Sequence, residues 1–137
     1  MITVEIKNEI EKAVGGTISS VAPLSAANNA YIYRLIFGGN KSMVAKIATR
    51  GLDVEAFMLK YLKEKTKLPV PEVFHSNEHI IVMEFIPADW HLDSACQADA
   101  ARALAELHKI KSDKYGFECD TQIGTLRQPN AKMDNCI

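Results

Sequence analysis

The chain has 137 residues, 47% of them hydrophobic and 24% charged, which suits one soluble domain with a packed core. With 16 Lys and Arg against 17 Asp and Glu, the net charge is -1, so no broad cationic surface is expected and nucleic acid is excluded as an expected partner. The N-terminus alternates Val4, Ile6 and Ile10 with Glu5, Lys7, Glu9 and Glu11, and nowhere do 18 apolar residues run together, so no leader, no membrane and a cytoplasmic protein are expected. Cys96, Cys119 and Cys136 are widely spaced with no CxxC pair, which fits reduced thiols better than a zinc site.

Thr3 can cap a helix in which Ile6, Ile10 and Val14 recur at helical spacing, and Gly15-Gly16 stops it, predicting a helix over residues 4–14. Residues 17–24 are rich in β-branched side chains and residues 31–37 are aromatic and β-prone, predicting two strands joined by a loop. Gly38-Gly39-Asn40-Lys41 has the chemistry of a tight turn, and residues 43–48 make a third strand. Asp53 is the expected cap of a second helix with the stripe Val54, Met58, Tyr61 and Leu62, ended by the basic run from Lys63 to Lys67. Pro69-Val70-Pro71 enforces an extended exit. Residues 73–75 and 80–86 read as two further strands around a Ser76-Asn77 turn, with Pro87 ending the second. Ser94-x-x-Gln97 is a capping box for a third helix reaching about residue 109, and the tail from Ser112 reads as loop.

The predicted class is α+β, a five-stranded antiparallel sheet with an N-terminal helix, a helix after the third strand and a helix after the fifth. Strand, loop, strand, a lysine on the next strand, a glutamate on the following helix and two more strands is the order of the smaller lobe in protein-kinase-like folds. Lys46 stands mid-strand, and the period of two puts Val44 on the same face, where a branched side chain suits an adenine roof beside a phosphate. A lysine holding the α- and β-phosphates needs a carboxylate to fix its flexible stem, and Glu55, in the first turn of the next helix, can supply it. The alternative is an edge-strand lysine kept in solvent and a first-turn glutamate favoured by the helix dipole.

Ser25, Ala26, Ala27 and Asn28, in the loop that runs from Leu24 to Asn29, are expected over the phosphates, with small side chains that leave backbone N–H groups free. Met83, Glu84, Phe85 and Ile86 are expected to form a hinge whose backbone reads the adenine edge; an ordinary loop and an ordinary strand end remain the alternatives. His91-Leu92-Asp93 resembles a catalytic H-x-D triplet, but Ala98 stands where a metal-binding Asn would follow and the triplet comes too early in the order of elements. It reads as the lead-in to the third helix, so no catalytic and no metal-binding residue is assigned.

The sequence resembles the fructosamine kinases, or ketosamine-3-kinases, relatives of the aminoglycoside phosphotransferases. The resemblance rests on Pro23-Leu24-Ser25, Tyr31 to Leu35, Val44-Ala45-Lys46, Glu55-Ala56, Val70-Pro71 and Ile81 to Ile86. More specific are Leu104-Ala105-Glu106-Leu107-His108, Tyr115-Gly116-Phe117, Ile123-Gly124 and Gln128-Pro129-Asn130. It implies a two-lobed fold, ATP with Mg2+, and transfer of a phosphoryl group to a sugar hydroxyl of a ketosamine or other glycated amine. By position it implies that Lys46 binds phosphates, Glu55 orients it and residues 84–86 form the hinge, with Ala26-Ala27 replacing the family's Gly-Gly pair. Residues 1–87 correspond to the nucleotide-binding lobe and residues 88–137 to the start of the next. The His-Gly-Asp base and the later metal-binding Asp are not in the sequence, so the metal ligands are expected in the second lobe and the chain alone is expected to be inactive. Two other readings stand beside this one: an interaction module that dimerises through the face a second lobe would cover, and an aminoglycoside kinase.

Overall fold

The computed structural model describes residues 2–27, 30–88, 92–124 and 126–135. Helix α1 (Val4–Val14) begins where Thr3 Oγ1 accepts the Ile6 amide at 3.4 Å and ends at Gly15, whose φ of 72° is open to glycine at little steric cost. There follow β1 (Ile18–Ala27), β2 (Ala30–Phe37), β3 (Ser42–Ala48), α2 (Leu52–Lys65), β4 (Val73–Ser76) and β5 (Ile80–Glu84). The strands form one five-stranded sheet in the order β1-β2-β3-β5-β4, every neighbouring pair antiparallel. The turn between β2 and β3 uses Gly39 at φ 77° and Asn40 at φ 62°, residue types that tolerate the left-handed region.

Burial alternates along β3 with the period of the pleat. Met43 and Ala45 point into a core with Ile10 of α1, Ile18, Leu35, Phe37, Ile80 and Val82. On the opposite face Leu52 and Ala56 of α2 close over Ile81, with Ala48, Val73 and Met83 around them. Each face thus has its own helix, and the sheet between them is held by apolar burial on both sides.

The structure corrects several expected boundaries. The backbone of β1 stays extended and paired as far as Ala27, opposite Ala30, so Leu24 to Ala27 belong to the strand and not to a loop. Helix α2 starts at Leu52, with the Glu55 amide donating to Gly51 O at 3.3 Å, and Asp53 sits inside the first turn instead of capping it. Strand β5 ends at Glu84, two residues short of the predicted end. Asp93, not Ser94, caps helix α3 (Ser94–His108), its carboxylate accepting the Cys96 amide at 2.8 Å.

By internal contacts the chain divides into two units: Met1–Lys60 with Val70–Pro87, and Tyr61–Pro69 with Ala88–Ile137. In the second unit the tail, expected to be loop, contains a hairpin of β6 (Thr121–Ile123) and β7 (Leu126–Gln128). Three-residue strands are too short to show an alternating pattern in sequence, and polar side chains hold this one together. Asn130 donates through Nδ2 to Thr121 Oγ1 at 2.8 Å and to Cys119 O at 3.3 Å, while its amide donates to Asp120 Oδ1 at 3.0 Å. Tyr115 and Met133 exchange backbone hydrogen bonds beside it. The Tyr61 and Phe117 rings meet edge to face, with centroids 4.9 Å apart. No helix among the described residues is long and apolar enough to cross a membrane.

Gly116 has φ 102°, and a Cβ there would lie 2.4 Å from Ala131 O. Gly116→Ala is therefore expected to destabilise the second unit by roughly 1–3 kcal/mol, read as lost hydrogen-exchange protection at Tyr115 and Met133 with Ala45 and Val82 unchanged. The Asn130 amide, and after it the Arg127 side chain, hold the Asp120 carboxyl below its ordinary value of 3.8. Stability from this group is present above that value and is lost as pH falls through the lower folded value. Acid titration should loosen the hairpin below about pH 4, and Asp120→Asn should remove that pH dependence.

Candidate functional site

β3 is the third of the five strands in the sheet, so Lys46 is not an edge lysine facing solvent. In the register of the sheet Lys46 stands opposite Ile32 on β2 and Ile81 on β5, one row from Val44, which stands opposite Arg34 and Met83. The two rows share the face covered in part by α2. From the first turn of that helix Glu55 reaches down, and Lys46 Nζ donates to Glu55 Oε1 at 2.8 Å and Oε2 at 2.6 Å. The lysine side chain is 23% exposed and the glutamate 31%, so the pair is shielded but open to a ligand. A lysine gripped by both oxygens of a carboxylate loses the freedom of its four-carbon stem and presents its remaining donor in a fixed direction.

Other predicted residues fall at graded distances from this pair. Ser25 stands opposite Ile32 and so in the row of Lys46, two strands away, roughly 10 Å at the usual strand spacing. Ala26 is in the row of Tyr31 and Ile47, whose residues face the other way, and the backbone of Ala27 pairs with Ala30. Asn28 lies outside the described residues.

At the expected hinge, Met83 is half-buried in the row of Val44. The Glu84 amide donates to Glu72 O at 2.8 Å, and its carboxylate accepts the Glu72 amide at 3.2 Å. Glu84 is thus tied into the β4 side, which leaves Phe85 and Ile86 as the first residues beyond the ladder, with Ile86 exposed. His91 lies outside the described residues, and Asp93, the acid of the H-x-D triplet, is occupied as a helix cap. The Cys96 amide holds its carboxyl below the usual carboxylate range.

Sequence reasoning assigned no role to Arg34, which the structure brings to this face beside Ser42 and Phe85. Its place in the row of Val44 follows from the β2–β3 register, which no local pattern shows. Among the described residues no three His, Cys, Asp or Glu side chains are grouped so as to hold a metal ion.

A five-stranded antiparallel sheet with three helices, a lysine on its central strand and a glutamate on the helix that follows, has a kinase-like fold. Solved structures have this fold. A candidate fructosamine-3-kinase from Thermobifida fusca superposes with a TM-score of 0.80 at 20% identity, covering 96% of this chain and 48% of that one. A second, from Haemophilus somnus, gives 0.80 at 23% identity over 94% and 47%. The ternary complex of APH(2″)-IIa, an aminoglycoside phosphotransferase, with streptomycin and ATP gives 0.63 at 21% identity over 82% and 42%. The fructosamine kinase family model matches residues 3–136, and the chain belongs to that family. It spans about half the length of these solved structures. No curated protein matches the sequence.

If the Lys46–Glu55 pair serves a ligand and not the fold, removing it should cost little stability. A partly exposed ion pair is worth roughly 1 kcal/mol or less, so thermal unfolding of Lys46→Ala should shift by only a few degrees.

Proposed function

We propose that this chain is the nucleotide-binding part of a kinase that transfers the γ-phosphoryl group of ATP to a sugar hydroxyl of a ketosamine. The observation that carries the reading is the two-oxygen clamp of Glu55 on Lys46 in the central strand. Membership of the fructosamine kinase family and the presence of ATP in the complex of the aminoglycoside phosphotransferase with the same fold support it.

Several described residues support a nucleotide here. On this reading Lys46 neutralises the α- and β-phosphates, with Glu55 holding its ammonium. Val44 gives an apolar surface two residues away for adenine, and the chain after Glu84 leaves its own backbone groups for the edge of the base. Ser25, in the row of Lys46, is the member of the predicted phosphate segment that the register puts on this face. The described residues offer no metal cluster, so Mg2+, which in such transfers neutralises charge on the phosphates, would be held by acids elsewhere in the full protein. The base that accepts the sugar hydroxyl proton belongs with those acids on this reading. Nucleotide binding without turnover is accordingly the expected behaviour of the 137 residues alone.

The test is ATP-dependent phosphorylation of a fructosamine by the full gene product. Lys46→Ala is expected to lower kcat/KM by roughly 100-fold. Absence of transfer by the parent, or equal activity of parent and variant, would sink the proposal.

A further inference from the structure

A second cation, Arg34, stands on the sheet face that carries Lys46. Arg34, in the row of Val44 and Met83, donates through Nε and Nη2 to Ser42 Oγ at 3.2 and 3.1 Å. Its guanidinium carbon lies 4.2 Å from the centroid of the Phe85 ring. Phe85 follows immediately on the last residue of β5. Ladder pairing holds the chain as far as Glu84, which stands opposite Met43 and is bonded to Glu72, and Pro87 brings no backbone N–H to extend that pairing. Beyond that pairing, the Arg34 guanidinium over the Phe85 ring is a side-chain contact that holds residue 85. Guanidinium suits the task because one edge can bond Ser42 while the plane lies on an aromatic face, which an ammonium cannot do with the same geometry.

We propose that Arg34 is a positioning residue of the nucleotide site: through Ser42 and Phe85 it sets the backbone of residues 85 and 86 that meets the adenine edge. The inference rests on the reading of this face as nucleotide-binding. Its consequence is selective, because the hinge touches the base and Lys46 the phosphates. Arg34 therefore contributes to affinity for the adenine part of the ligand and not for the triphosphate part.

The experiment is calorimetric titration of the 137-residue chain with ATP and with inorganic tripolyphosphate, for the parent, Lys46→Ala, Arg34→Ala, Arg34→Lys, Phe85→Leu and the double variant Arg34→Ala/Phe85→Leu. Arg34→Ala is expected to weaken ATP binding roughly 5-fold and to leave tripolyphosphate binding at the parent level. Arg34→Lys should fall between parent and Arg34→Ala. Phe85→Leu should match Arg34→Ala, and the double variant should be no weaker than either single one, because both remove the same contact. Equal ATP affinity of Arg34→Ala and parent overturns the proposal, as does equal loss of ATP and tripolyphosphate or an additive double variant. Failure of the parent to bind ATP, or Lys46→Ala binding as the parent does, sinks the nucleotide reading and this inference with it. Weakening by Lys46→Ala but not by Arg34→Ala sinks this inference alone.

Discussion

A lysine in the middle strand of a sheet has no route to bulk water along an open edge, so its charge must be met by something brought to it. For Lys46 that is Glu55, at 2.8 and 2.6 Å. Glu55 comes from the start of α2, and the same stretch carries Leu52 and Ala56, which close on Ile81. One turn of helix thus supplies both the carboxylate and the apolar contact that keeps the carboxylate there. The ion pair is positioned by packing rather than being the source of the packing, consistent with the small stability expected from a pair still partly open to water.

The period of two along β3 divides the work. Met43 and Ala45 go to the α1 side and complete an apolar core; Val44 and Lys46 go to the other side and give a half-buried surface that carries the lysine charge. A strand that packs on both faces ordinarily reads as a continuous apolar run. The lysine breaks that run, which is the kind of local inconsistency that marks a functional position more often than a structural one.

The segments that carry the family resemblance serve two purposes. Val44-Ala45-Lys46 and Glu55 build the charged face. Gly116, Phe117 and Asn130, by contrast, build the second unit: Gly116 allows the close approach of residue 131, Phe117 packs on Tyr61, and Asn130 fastens the β6–β7 hairpin. These residues of the second unit are scaffolding, and the family model matches along residues 3–136.

Local signals determined a good part of this protein. Thr3 and Gly15 bound α1, Gly39 and Asn40 turn β2 into β3, and the order of elements sets a strand lysine, Lys46, ahead of a first-turn acid, Glu55. The cap, the stop and the turn depend on residues within about one helical turn or one hairpin of each other, where propensity and period act directly. Tertiary structure alone decided that β3 is central, that β1 stays paired through Ala27, that β5 stops at Glu84, that Asn130 fastens a hairpin in the tail, and that Arg34 lies against Phe85. These depend on which strand lies beside which and in what register. A pattern of alternation tells a residue's face but not its neighbour, and the neighbour is set by packing between segments far apart in the chain.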